Sequence, residues 1–247
     1  MKIFFIAAAL LLSASGAMAQ TGMWVGVKNI QMEKKSKKVE FSFKAEYPFT
    51  EDSVTANAIR EWINESLGGT YTGSLMDYNQ MLTYYADRTI QGYADAEVEE
   101  GWGPSEESYE FKRGHETANI ITYCLSQYTY SSGAPHGFYL DSTATFRKSD
   151  GRRFGWDMFT FEGKTRLKAI LARRLRTDYG DDTFFKVPDA SDPSFELPSH
   201  APHINADGVV FTYPPYEIAP FAAGFITVTL PFTMVKGMLN ATGQTYL

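Results

Sequence analysis

Residues 39–47 carry the clearest pattern in the chain. Val39, Phe41, Phe43, Ala45 and Tyr47 alternate with Glu40, Ser42, Lys44 and Glu46, a period of two that predicts a strand with one apolar face. Trp24 to Met32 reads as a weaker strand before it. The run Glu33-Lys34-Lys35-Ser36-Lys37-Lys38 between them fits a solvated hairpin turn better than a phosphate or membrane patch.

The period then changes. Val54, Ala58, Ile59, Trp62, Ile63 and Leu67 fall at helical spacing, with Asp52 or Ser53 as N-cap and Gly68-Gly69 as the stop. Leu75, Tyr78, Leu82 and Tyr85 mark a second helix over residues 74–94, with its aromatic stripe turned to a core. An acidic connection around Gly101-Trp102-Gly103-Pro104 follows, where Trp102 is either a loop plug or an exposed contact. Three strands are predicted next, over 108–113, 117–130 and 137–147. A third helix over 163–177 places Leu167, Ile170, Leu171 and Leu175 inward and ends at Gly180. Its outer face bears Arg166, Lys168, Arg173, Arg174 and Arg176, read as a solvated surface. Residues 181–207, with four prolines, predict a long excursion without regular structure. Two further strands, 209–213 and 225–230, flank a proline-rich corner, and Pro231 opens a short terminal helix. Strands and helices do not alternate regularly. The expected class is therefore α+β, with antiparallel sheets and helices packed on one side.

Composition narrows the function more than the fold. With 247 residues, 44% apolar and 15% aromatic, the chain has the material for a sizeable core. There are 23 basic against 29 acidic residues, a net charge of −6, which argues against a nucleic-acid partner. Lys2, the apolar stretch Ile3 to Leu12 and Ala17-Met18-Ala19 predict a secretory leader cleaved after Ala19. That stretch is too short to span the roughly 30 Å of a bilayer core, so no retained membrane segment is expected. The exported chain would place its partners in the periplasm or cell envelope. Cys124, the single cysteine, sits in a β-like run and reads as an inert thiol.

Candidate chemistry is sparse. His200 and His203 form an H-x-x-H pair, but a proline-rich loop does not hold two imidazoles as a helix would, so no metal is expected. His136, in the turn Gly133-Ala134-Pro135-His136-Gly137, is either a general base or the residue that fixes the turn through a neighbouring carbonyl. Paired carboxylates at Glu99-Glu100 and Asp181-Asp182 lie in loops and need not converge. No nucleophile elbow, phosphate loop, dinucleotide motif or calcium loop occurs, so neither catalytic residues nor a cofactor are assigned. The most unusual stretch is Tyr213-Pro214-Pro215-Tyr216-Glu217-Ile218-Ala219-Pro220-Phe221-Ala222-Ala223-Gly224. Its prolines stiffen it and its rings supply amphipathic area. It reads as a rigid corner with inward aromatics, as a preorganised recognition ridge, or as both.

The His136 turn, the string Gly151-Arg152-Arg153-Phe154-Gly155-Trp156-Asp157-Met158-Phe159 and the Tyr216-to-Gly224 string together carry a resemblance. They resemble a two-module exported family, a DUF4163 (PdaC-type) part followed by a DUF3298 part, as in the ectodomain of the anti-sigma factor RsiV. The resemblance implies modules over 20–136 and 137–247 after a leader over 1–19. It also implies a binding role, since the RsiV ectodomain binds lysozyme. Sigma-factor signalling and polysaccharide deacetylation are not implied, because neither the sigma-binding segment nor the deacetylase domain is expected here. The expectation is a non-catalytic envelope module that binds a cationic protein such as lysozyme, or a cell-wall glycan, through His136, Tyr213, Pro215, Tyr216, Glu217 and Phe221. The alternatives are a peptidoglycan-active hydrolase using His136 and a structural envelope subunit that forms a stable oligomer.

Overall fold

The structure, a computed structural model, describes residues 24–51, 53–98 and 101–247. The expected leader, Asp52 and the Glu99-Glu100 pair lie outside the described residues. The class is α+β. The chain divides into two compact units, the first Met1–Lys112 with Leu125–Tyr139 and the second Arg113–Cys124 with Leu140–Leu247.

In the first unit, β1 (Val27–Lys35) and β2 (Val39–Pro48) form an antiparallel hairpin, with Val27 opposite Pro48 and Lys35 opposite Glu40. The inward set of β2 is the predicted one: Val39, Phe41, Phe43, Ala45 and Tyr47 are all buried. The turn itself is Ser36-Lys37-Lys38, the first half of the charged run belonging to β1. At the end of β1 Lys35 pairs with Glu40 at 2.6 Å, and Lys34 pairs with Asp87. Helix α1 (Val54–Ser66) starts at Ser53, whose hydroxyl accepts the Ala56 N–H, and buries Ile59, Trp62 and Ile63. Its Arg60 is also buried, and the guanidinium donates to the Pro48 and Thr50 carbonyls at 2.9 and 3.4 Å. Those bonds pair the guanidinium with carbonyls at the end of β2 and just beyond it. Helix α2 (Tyr78–Gly92) is shorter than predicted because Asp77 caps it, accepting the Gln80 N–H at 3.0 Å.

One pairing departs from the antiparallel pattern. Strand β3 (Ser105–Glu116) pairs with β2 in parallel, from Val39 opposite Ser105 to Ala45 opposite Phe111. Between these two strands lie α1 and α2, a crossover long enough to return the chain to the end where β2 began. Phe111 seals the pairing against Phe43 and the edge of Trp62, with ring centroids 5.5 and 5.6 Å apart. With β4 (Ile120–Tyr130) and β5 (Phe138–Arg147) the sheet order is β1-β2-β3-β4-β5.

The second unit is built on α3 (Phe161–Tyr179). The helix begins two residues before the predicted start because the Thr160 hydroxyl accepts the Gly163 N–H at 2.9 Å. Gly163 is required there: a Cβ would stand 2.2 Å from the Met238 carbonyl oxygen. Leu167, Leu171 and Leu175 face a core that also holds Phe154, Met158, Phe159 and Phe211. The antiparallel sheet β6-β7-β8 (His203–Ile204, Val209–Tyr213, Ile226–Leu230) packs against it, β6 being a two-residue strand inside the predicted excursion. Two short helices, α4 (Phe232–Val235) and α5 (Ala241–Gln244), end the chain. Among the described residues no helix is long and apolar enough to cross a membrane.

Candidate functional site

The bend between β7 and β8 departs from ordinary backbone at one residue. Tyr216 has φ 70°, the single positive φ outside glycine among the described residues. This region crowds a side chain against its own carbonyl, a cost of roughly 1 kcal/mol for an L-residue. The surroundings impose it. Tyr216 N–H donates to the Ala219 carbonyl at 3.0 Å and Glu217 N–H to the Pro214 carbonyl at 3.2 Å, closing two turns in succession. Both Glu217 carboxylate oxygens are then held by Ser199, by its backbone N–H at 2.9 Å and its hydroxyl at 2.6 Å. Gly224, with φ 66°, turns the chain out of the bend and into β8.

This framework presents rings to solvent. Tyr216 is 59% exposed and stacks on Phe221, with centroids 5.6 Å apart and planes 28° from parallel. Phe185, 61% exposed, is tied to the same backbone by its N–H donating to the Ile218 carbonyl at 3.0 Å. Pro215 is partly exposed. Phe185 and Ser199 have no sequence signal: each meets the bend through contacts made far along the chain.

Tyr213 is a correction. It is fully buried, its ring stacks on Phe195 and its hydroxyl donates to the Glu196 carbonyl at 3.1 Å, so it anchors the bend and offers no surface to a partner. The strand alternation explains this, because Tyr213 shares its face with Val209 and Phe211. Burial raises its phenol strongly, and Glu217 and Glu196 add to the shift.

His136 is exposed in the first unit, while the bend belongs to the second. Its Nδ1 lies 2.9 Å from the Gly137 carbonyl oxygen, the turn-fixing contact. His200 and His203 sit near the bend. Burial lowers the pKa of His200, opposed by Glu217 and Asp141, and burial with the neighbouring His200 pushes His203 down to about 4. Neutral imidazoles could ligate a metal, yet among the described residues no group of three or more His, Cys, Asp or Glu converges on one point. Trp156 fastens this loop by donating from its indole to the His200 carbonyl at 3.2 Å. Cys124 is half-buried, and burial raises its thiol out of the reactive range. Trp102 is exposed in its connection.

The arrangement is suited to contact rather than to proton transfer: a stiff bend, two stacked rings and a carboxylate already engaged. Comparison with known proteins finds no match among curated proteins. Two solved structures share the fold. One is a DUF3298 family member from Bacteroides fragilis NCTC 9343, with TM-score 0.75 and 18% identity, over 90% of this chain and 96% of that one. The other is a DUF3298 family protein from Pseudomonas aeruginosa PAO1, with TM-score 0.60 and 16% identity, over 89% and 96%. The sequence itself points the same way: residues 157–233, which run from just before α3 into α4 and contain the whole bend, match DUF3298, a protein family of unknown function.

Proposed function

We propose that this chain is an exported, non-catalytic binding module of the cell envelope that meets its partner through the bend Pro215–Phe221. A strongly cationic protein of the lysozyme kind is the partner its charge favours. The observation that carries this reading is Tyr216, held in a costly conformation with its ring exposed by the hydrogen bonds that close the bend. Strain kept at an exposed aromatic is a reason to look for recognition there. The acidic balance, −6 over the chain, supports a cationic partner by speeding encounter at low salt. The resemblance to the DUF4163–DUF3298 architecture of the RsiV ectodomain supports the same class. An envelope glycan is the other occupant that exposed rings accept.

The test is a titration of the chain from Gln20 with lysozyme at low and physiological salt, with soluble peptidoglycan fragments in parallel. Saturable lysozyme binding that weakens as salt rises and is lost in Tyr216→Ala is expected. No saturable binding at low salt overturns the lysozyme reading.

A further inference from the structure

A cleft of about 660 Å³, a volume typical of small-ligand sites, opens in the second unit between α3 and the chain that follows it. Arg173 and Arg176 line it from the helix, and Asp181, Asp182 and Asp189 from the facing segment. That segment is anchored, since Phe184 within it and Phe195 after it are buried in the core.

The charges sort into engaged and open ones. Arg176 binds Asp181 through two contacts, at 3.0 and 3.4 Å. Asp189 accepts the Ser191 N–H and hydroxyl, both at 2.9 Å. Arg173 and Asp182 remain. Among the described residues neither side chain has a hydrogen bond or ion pair, and they line the cleft from different segments, Arg173 from α3 and Asp182 from the chain after it. A simple anion placed between them would meet three carboxylates, and a simple cation two guanidiniums. A molecule with one charge of each sign satisfies both walls.

We propose that this cleft binds a small zwitterion of the free amino-acid or short-peptide class, its carboxylate on Arg173 and its ammonium group on Asp182. This site is separate from the bend and does not depend on the reading given to it.

The experiment is calorimetric titration of the chain from Gln20 with alanine, alanyl-alanine, N-acetyl-alanyl-alanine and alanyl-alanine amide at low salt. Saturable binding of the dipeptide is expected, with each charge-blocked form weaker by roughly tenfold, the scale of a lost charge-assisted contact. Arg173→Gln should abolish the preference over the amide, and Asp182→Asn the preference over the N-acetyl form. Both residues are exposed, so folding should be unaffected, and lysozyme titration of each variant reads the bend independently. No saturable binding by either zwitterion, equal binding of blocked and free dipeptide, or preferences unchanged in both variants overturns the proposal.

Discussion

Glu217 and Ser199 are joined by two hydrogen bonds, a backbone N–H and a hydroxyl on the two oxygens of one carboxylate. This pair ties the bend to the proline-rich excursion, and the excursion is tied in turn through the Trp156 indole on the His200 carbonyl. Glu217→Ala should therefore loosen the bend. Because the contact is exposed, the loss of stability is about 1 kcal/mol, and the larger effect is on partner affinity. Urea unfolding beside lysozyme titration separates the two; a stability loss with unchanged affinity would remove Glu217 from the recognition framework.

Tyr216→Gly provides the complementary experiment. Glycine takes φ 70° freely, so relief of roughly 1 kcal/mol offsets the lost contact with Phe221. Unfolding midpoints of variant and parent should agree within a few degrees, while binding through the bend is lost. Tyr216→Ala retains most of the strain and should be the less stable of the two.

Two threonines hold β6 in place. Thr122 donates to the Ile204 carbonyl at 2.7 Å, Ile204 N–H donates to the Thr145 hydroxyl at 2.8 Å, and the two hydroxyls are 2.8 Å apart. All three groups are buried. Thr145→Val keeps the shape but leaves the Ile204 N–H and the Thr122 hydroxyl short of a partner, a cost of roughly 2 kcal/mol. Hydrogen exchange should show the Ile204 amide protected in the parent and fast in the variant.

Lys148 and Glu116 form an ion pair at 2.7 Å with both side chains nearly buried, 9% and 5% exposed. Arg113 stands 3.4 Å from the other Glu116 oxygen, so this carboxylate serves two cations and its removal weakens both. Glu116→Gln should destabilise by about 3 kcal/mol, and the double variant Glu116→Gln with Lys148→Met should recover part of it. A double-mutant cycle without coupling would contradict this.

Acid should weaken the second unit through His203. Its folded pKa of about 4 lies below the ordinary value of 6.5, so between these the unfolded chain binds the extra proton. Stability is full above pH 6.5 and declines as pH falls toward 4, by on the order of 2 kcal/mol. His203→Gln should flatten that part of the profile in urea melts at pH 7.5, 6, 5 and 4.5.

The legible parts of this chain are those whose cause is local. The β2 alternation and the apolar face of α1 are each specified within a few residues, and the structure follows them. The start of α3 is marked only by the Thr160 cap, because Phe161, 81% exposed, lies off the buried stripe. The parallel partner of β2, the Ser199 clasp and the two-residue β6 depend on groups far apart in sequence, and no pattern in any window encodes them. Tyr213 is the instructive case: alternation with Val209 and Phe211 places it inward, and its position beside prolines suggested otherwise.

The parallel partnership of β2 and β3 makes their pairing a long-range step. Val39 meets Ser105 only when the whole intervening chain is closed into a loop. Until then the β1–β2 hairpin carries one bare margin of amides and carbonyls, able to accept a stranger's strand. Refolding should accordingly be governed by this long loop closure, and its yield should fall as protein concentration rises.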